Sequence, residues 1–345
     1  MDLRLSPEQQ DLRDSAARIV GRLGPRTVRD LDDAERTAKL DAAVEAAGWR
    51  ELRAPGEAGA PLASAVEAAI VAEQLGQGLA DVCFLGPTLA AELRRLAGAP
   101  PGTSRETVAL GPDLSALTTV AGRGVVAVDA RGSASALVLV PAAGGHTLAS
   151  VPLPSLAAAS RQVDLTRPGM TVEPSAPVAV SGADRALGPA DIQSWTALGL
   201  ALTCADLVGT MAGAIGLACD YARSRRQYGA AIGSFQAVQH LLADALVAME
   251  GSRSAALYAT WAVDALPPAE ALAAASVAKA YCSRAGRAVC EAVIQVHGGI
   301  GNTWDCLAHV YLRRALLSTD VLGGVGPSLA RVLEHNGIRG SHGLC

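Results

Sequence analysis

Apolar residues recur at helical spacing along both ends of the chain and collapse into short runs in its middle. Near the N-terminus, Ser6-Pro7-Glu8-Gln9 reads as a capping box with proline at the first helical position. Leu12, Ala16, Ile19 and Val20 then share one helix face. A second helix is predicted over 38–47, stopping at Gly48. The stretch 64–79 predicts a long apolar helix with Ser64 as its N-cap and Gly76 and Gly78 weakening its end. A further helix is predicted over 88–96. Between about 101 and 185 the period changes. The runs 107–110, 125–128, 136–140, 162–165 and 177–180 are short, several are rich in Val, and Gly or Pro separates them. That pattern predicts a small antiparallel β domain. From 188 onward the helical period returns. A long helix over 190–225 is rich in small residues, and Val238, Leu241, Leu242, Ala245, Leu246 and Met249 form a helical stripe. Pro267-Pro268 breaks the chain and starts a helix running to His297, which Gly298-Gly299 stops. The next helix is predicted over 304–322. Helices, then strands, then helices predict an α+β fold: an N-terminal helical domain over 1–100, a reduced β domain over 101–187 and a C-terminal helical bundle over 188–345. Such long apolar helices are expected to bring subunits together.

Composition narrows the function classes. Of 345 residues, 50% are hydrophobic and 18% charged, with a mean hydropathy of +0.27, which fits large internal or subunit interfaces. A net charge of −4 leaves no electrostatic footprint for nucleic acid, and 3% aromatics leave few rings for base stacking. The seven cysteines are scattered without a CxxC pair, and Cys282 and Cys290 read as structural thiols on a helix. Met1 leads directly into a polar helix start, so the expected setting is a reducing cytoplasm. The apolar run 197–218 is interrupted by Asp206 and small residues, which predicts a buried helix rather than a membrane span.

Two stretches carry chemistry. In "YARSRRQYGAAIGSFQAVQHLLAD", Arg225 lies at the end of one helix and Gln236 near the start of the next, with Gly229 and Gly233 between. An arginine beside free backbone N–H groups at a helix start suits an anion. Tyr228 and Phe235 can pack on a flat ring, and Gln236 can donate and accept hydrogen bonds. Together they suit a dinucleotide; the same residues would also serve as a basic interhelical loop with two packed aromatics. In "QVHGGIGNTWD", Gly298, Gly299 and Gly301 stand at a helix junction, where a backbone can approach a bulky anion or a helix can simply end.

Both stretches, in this order, resemble the acyl-CoA dehydrogenase family, and the resemblance covers nearly the whole chain. "LSPEQQDLRDSAARIV" looks like the family's opening helix; "AAGWRELRAPGEAGA" and "VAEQLGQGLADVCFLG" are similar to its next segments; "RRQYGAAIGSFQ" and "QVHGGIG" resemble its two most specific motifs. The resemblance implies a helical domain, a β domain and a four-helix bundle. It also implies FAD as cofactor, introduction of an α,β double bond into an acyl-CoA, and a tetramer. It further implies that Arg225, Gln227, Tyr228, Phe235 and Gln236 contact the diphosphate and adenosine of an FAD held mainly by a neighbouring subunit. Gln295, Gly298 and Gly299 would reach the same portion from the other side.

The chain departs from the family where the chemistry occurs. A carboxylate base is required over the substrate α-carbon. By the resemblance it stands either just before a glycine late in the bundle, where this chain has Leu322, or about thirty residues ahead of the Tyr-Gly pair, near Gly199. The stretch 195–204 holds no carboxylate. The β region holds no Trp, and its Glu173-Pro174 lacks the family's following Gly-Ser-Asp. The chain thus resembles the non-catalytic half of the split actinobacterial enzymes of steroid side-chain breakdown. That implies a homologous catalytic chain as partner, in an α2β2 tetramer acting on an acyl-CoA. The alternatives are a self-contained homotetrameric flavoenzyme with a diverged site, dehydrogenase or monooxygenase, and a structural protein without flavin. Arg225, Gln236 and Gly298-Gly299 argue against the last. Asp305, next to Trp304, is the candidate for a relocated base, or else a first-turn acid of the following helix. His309 and Arg313-Arg314 are expected at the surface or a subunit contact.

Overall fold

The computed structural model describes residues 4–119, 124–154, 163–172, 177–183 and 185–338; Gln162, Glu173-Pro174 and Cys345 lie outside them. Helix α1 (Pro7–Leu23) opens with the expected capping box: Gln9 N donates to Ser6 Oγ at 3.2 Å and Ser6 N to Gln9 Oε1 at 3.1 Å. Helix α2 (Ala34–Ala46) begins earlier than the apolar period suggests, because Asp33 caps it through Arg36 N. Arg36 and Thr37 turn inward onto the buried Asp81, at 2.5 and 2.8 Å, so polar side chains serve its inner face. Helix α3 (Ala65–Gln77) has Ser64 and Glu67 as its capping box. Helix α4 (Leu85–Leu96) has no cap from its own N-cap residue, Phe84. Asp129 supplies one from the sheet, accepting from Phe84 N at 2.7 Å.

The middle region is a six-stranded sheet of order β5-β2-β1-β3-β4-β6. Its strands are β1 (Glu106–Leu110), β2 (Val125–Val128), β3 (Ser135–Ala142), β4 (Gly145–Pro152), β5 (Met170–Val172) and β6 (Val178–Ala179). The sheet is mixed rather than antiparallel, since β1 runs parallel to β3 with Val108 opposite Leu137. Strand β4 escapes the sequence pattern because its polar His146, Thr147 and Ser150 interrupt the apolar run. It is fixed instead by the β3–β4 hairpin, which turns at Gly144 with φ +83°. Val163–Leu165 is an irregular segment, not a strand. Along the strands, Val108, Leu110, Leu137, Leu139 and Leu148 join the helical core, while Ala109, Ala136, Val138 and Ala149 build a second, smaller core.

The C-terminal helices are α5 (Pro189–Ser224), α6 (Gln236–Ala265), α7 (Pro268–His297), α8 (Ala308–Asp320) and α9 (Val325–His335). The small residues of α5 have a packing reason. A Cβ on Gly209 would collide with the Glu73 carbonyl of α3, and one on Gly76 would lie 2.5 Å from the Asp206 carbonyl, so the two backbones touch where the helices cross. Helix α5 is long and apolar enough to cross a membrane by length and composition, yet 89% of its most apolar window is buried inside the protein. Helix α8 starts at Ala308, not at 304: Thr303 Oγ1 donates to Ile300 O at 2.8 Å and closes a turn before it.

Candidate functional site

The two sequence motifs meet at one end of the bundle. Helix α5 ends at Ser224, with Arg225 N still donating to Tyr221 O at 2.8 Å. The chain then forms a short hairpin, β7 (Arg226–Gln227) against β8 (Ala230–Ala231), turning at Tyr228 (φ +51°) and Gly229 (φ +79°). Two successive positive φ values match a primed two-residue turn. This turn spends backbone strain to hold the Tyr228 ring 96% exposed, edge-on to Phe235 at 6.3 Å. Phe235 is the N-cap of α6 and offers no side-chain cap; Val238 N donates back to Phe235 O at 3.0 Å, so the N–H groups of Gln236 and Ala237 are the ones that face another acceptor. Gln236 is the first residue of that helix.

The second motif arrives by a ring contact: Tyr221 stacks on His297 at 4.6 Å, joining the last turn of α5 to the end of α7. Gly298 caps α7 with φ +63°, and a Cβ on either Gly298 or Gly299 would meet nothing within 4 Å. Gly301 differs, since its Cβ would press within 3.0 Å of His297, so it is a packing glycine. Arg225, Gln227, Tyr228, Phe235, Gln236, Gln295, Gly298 and Gly299 are all exposed. Beside them lies a surface cleft of about 300 Å3 that Tyr221, Ser224, His297, Ile300 and Asp305 help to line. This surface offers cation, free N–H groups, open glycine backbone and rings, which are the donors a diphosphate with attached flat groups needs.

The interior positions suited to a base present hydrocarbon. Gly199 and Leu322 lie against one another: a Cβ on Gly199 would run into Leu322 Cδ1 and stand 3.5 Å from both terminal methyls of Leu89. Leu322 is fully buried and held at φ +62°, its N–H donating to Leu114 O at 2.7 Å. Asp305 is not there. It is exposed, three residues before α8 begins, so it is neither a buried base nor a first-turn acid.

Arg314 also departs from the sequence expectation of a surface residue. It is 2% exposed and grips Asp206 of α5, with Nη2 and Nε 2.6 and 3.0 Å from Oδ1. Asp206 Oδ2 accepts from Ser318 Oγ at 2.7 Å and pairs with Arg167 at 3.2 Å. Arg167 in turn holds Asp164 at 3.0 Å. Burial pushes Asp206 up, but Arg167 and Arg314 outweigh it and hold the carboxyl below its ordinary range. His309 is buried too, edge-on to Trp304 at 5.1 Å, and Arg313 lies over the same indole at 5.8 Å. The one sign of this network in the sequence is a single Asp inside a long apolar helix.

Residues 192–326 match the family described as acyl-CoA dehydrogenase, C-terminal domain. The acyl-CoA dehydrogenase IpdE2 of Mycobacterium tuberculosis is 32% identical over 329 residues, covering 91% of this chain and 93% of that protein. The chain belongs to the acyl-CoA dehydrogenase family. It is therefore an acyl-CoA dehydrogenase chain, and FAD is its cofactor. Among solved structures, a variant of the Tcur3481-Tcur3483 steroid ACAD aligns over 96% of this chain and 98% of its own, with a TM-score of 0.76 and 25% identity. The ChsE4-ChsE5 complex from Mycobacterium tuberculosis shares the fold over 99% of this chain and 100% of its own, with a TM-score of 0.76 and 24% identity. Within this acyl-CoA dehydrogenase chain the two motifs gather at the exposed end of the bundle, while the buried contact of Gly199 with Leu322 holds no carboxylate.

Proposed function

We propose that this chain is the non-catalytic partner in a heteromeric, FAD-dependent acyl-CoA dehydrogenase, and that it completes the FAD site of a homologous catalytic chain. The observation that carries the reading is the contact of Leu322 with Gly199, which fills both base positions with hydrocarbon. Bound FAD supplies the acceptor for the hydride that leaves the acyl group. This chain's own residues bind and orient. The Arg225 guanidinium balances diphosphate charge, and the uncapped start of α6 adds N–H donors. Gly298 and Gly299 admit the anion close to the backbone, and Gln227, Gln236 and Gln295 offer hydrogen bonds at its polar edges. Tyr228 and Phe235 pack on its flat parts and keep water away. The proton is taken from the acyl α-carbon by the partner's carboxylate. An α2β2 assembly and a steroid-derived acyl-CoA belong to this reading, supported by the steroid ACAD and the two-chain complex whose folds this chain shares.

The test is purification of the chain alone and together with a co-expressed full-length homologue that retains the glutamate base. The expected result is a colourless single chain and a yellow complex of both chains in equal amount. A yellow homotetramer that oxidises an acyl-CoA from this chain alone would overturn the reading in favour of a self-contained flavoenzyme. Within the complex, Arg225→Gln should weaken FAD binding by about 10- to 100-fold, the loss of roughly 1.5–3 kcal/mol for a charged hydrogen bond, as read by flavin titration of the apoprotein.

A further inference from the structure

Two strained residues of this protein are bonded to one another. Leu114 and Leu322 both hold left-handed backbone, at φ +58° and +62°, and Leu322 N donates to Leu114 O at 2.7 Å. A leucine rarely occupies that region, and it stays there only where its surroundings leave no alternative. Leu114 lies in the connection between β1 and β2, and Leu322 in the turn between α8 and α9, so the contact crosses from the sheet to the bundle. Beneath it, the Leu322 side chain fills the space that Gly199 leaves beside Leu89.

Arg331 of α9 supplies the restraint. Its Nη2 donates to Leu322 O at 3.1 Å and to Ser115 O at 3.4 Å, so it reaches both sides of the contact. Among the described residues it has no carboxylate partner, its Nη1 is buried without an acceptor, and burial pushes its pKa below the ordinary range. A guanidinium drawn out of water with one donor unmatched is a desolvation cost to the fold. What it provides is a grip on two carbonyls from distant parts of the chain. The turn it grips is closed by its own backbone: Leu114 N donates to Gly111 O and Gly111 N to Ala116 O, each at 2.9 Å. Directly after Leu322 come Gly323, at φ +90°, and Gly324, where the backbone has the freedom to swing.

We infer that the turn over 111–116 and Arg331 form a latch that seats Leu322 in the core, and that its release opens an apolar site beside Gly199 for a hydrocarbon group. Arg331 is a positioning residue in this device, acting through the contact of Leu114 with Leu322. The glycine pair after Leu322 is the hinge, and the two left-handed leucines relax when it moves. A ligand that enters only the open state gains apparent affinity in proportion to the open fraction. The latch lies within this chain, so it stands whether or not a partner shares its flavin.

The test uses the full chain without flavin or partner, so its outcome is separate from that of the half-site reading. In Arg331→Met, hydrogen exchange of peptides covering 111–118 and 319–324, read by mass spectrometry, should quicken by about 10- to 100-fold, the equivalent of one lost charged hydrogen bond. Peptides from α1 and α3 should keep parental rates. Thermal melting should not fall, because methionine carries no desolvation cost. A residue that merely supported the fold would lower melting and quicken exchange throughout. Affinity for n-octanol, titrated by calorimetry, should rise by the same factor as the exchange. Leu322→Ala empties the site directly and should also bind n-octanol more tightly than the parent. Parental exchange rates in Arg331→Met overturn the latch. Quickened exchange with n-octanol affinity unchanged in both variants overturns the site beside Gly199.

Discussion

Gly199 and Leu322 meet because two distant parts of the chain converge on one point of the core. The consequence for substitution can be weighed. Replacing Gly199 by alanine in the middle of α5 would gain about 1 kcal/mol of helix propensity. The added methyl has no room, since it would overlap Leu322 Cδ1 and touch Leu89. Overpacking of a tight core costs about 1–3 kcal/mol, so the clash wins. Gly199→Ala should therefore lower stability in urea denaturation. Leu322→Ala alone should cost about 2–5 kcal/mol as a cavity. The double variant should be more stable than the sum predicts, because the second change removes the clash of the first. Strict additivity would show that the two side chains are not in contact. The sequence could place Leu322 and Gly199 at their motif positions, but not against one another.

Among the elements, α7 joins α5, α6, α8 and α9. Its Lys279 is fully buried and donates to Ser318 O, to Val321 O at 2.9 Å and to Thr203 Oγ1 at 3.2 Å. It thus ties α7 to α5 and to the C-terminal carbonyls of α8, just before Leu322. Burial lowers its pKa from the ordinary 10.5 to about 8, and the partial charge of Cys204 and Cys282 opposes only part of that. Between these values the unfolded chain holds a proton that the folded chain has released. Stability should therefore rise with pH across this window, and fall again as pH drops toward 8. The size is on the order of 3 kcal/mol. Denaturation of the parent and of Lys279→Met at pH 8 and pH 10 checks this: the parent should gain more than the variant. An equal gain in both would assign the effect to other groups. At this scale much was legible beforehand. The capping box of α1, the Ser64 N-cap of α3 and the proline start of α7 are local, and they stand where the sequence put them. The late-predicted start of α2, the missed β4 and the helix placed too early at 304 share one cause. In each, a hydrogen bond to a neighbouring element or turn overrode the local apolar period.

For the whole molecule, buried charge links the parts. Asp206 on α5 holds Arg314 of α8 and Arg167 from the segment leading to β5, so the sheet and the bundle are joined through one carboxylate. Arg53 does the same between α4 and α6, pairing with Glu92 at 3.2 Å and Asp264 at 3.1 Å. Asp206→Ala would leave Arg314 buried without its anion and Arg167 with Asp164 alone, and should cost about 3–5 kcal/mol in chemical denaturation. Replacing Asp206 and Arg314 together by leucine and methionine should recover most of that, because Arg167 keeps Asp164 as its partner at 3.0 Å and hydrocarbon of similar volume carries no desolvation cost. A single substitution within about 1 kcal/mol of the parent would show that the network bears little load. The sequence by itself determined what local chemistry decides: the order of helices, strands and helices, the caps, and the two motifs that carry the family likeness. Those signals lie within a few residues of one another, so backbone geometry and spacing suffice to read them. Only the tertiary structure decided the mixed strand pairing, the burial of Arg314 and His309, the exposure of Asp305 and the contact of Leu322 with Gly199. Each of these depends on what a side chain meets across the fold, where desolvation and packing, not local period, fix the outcome.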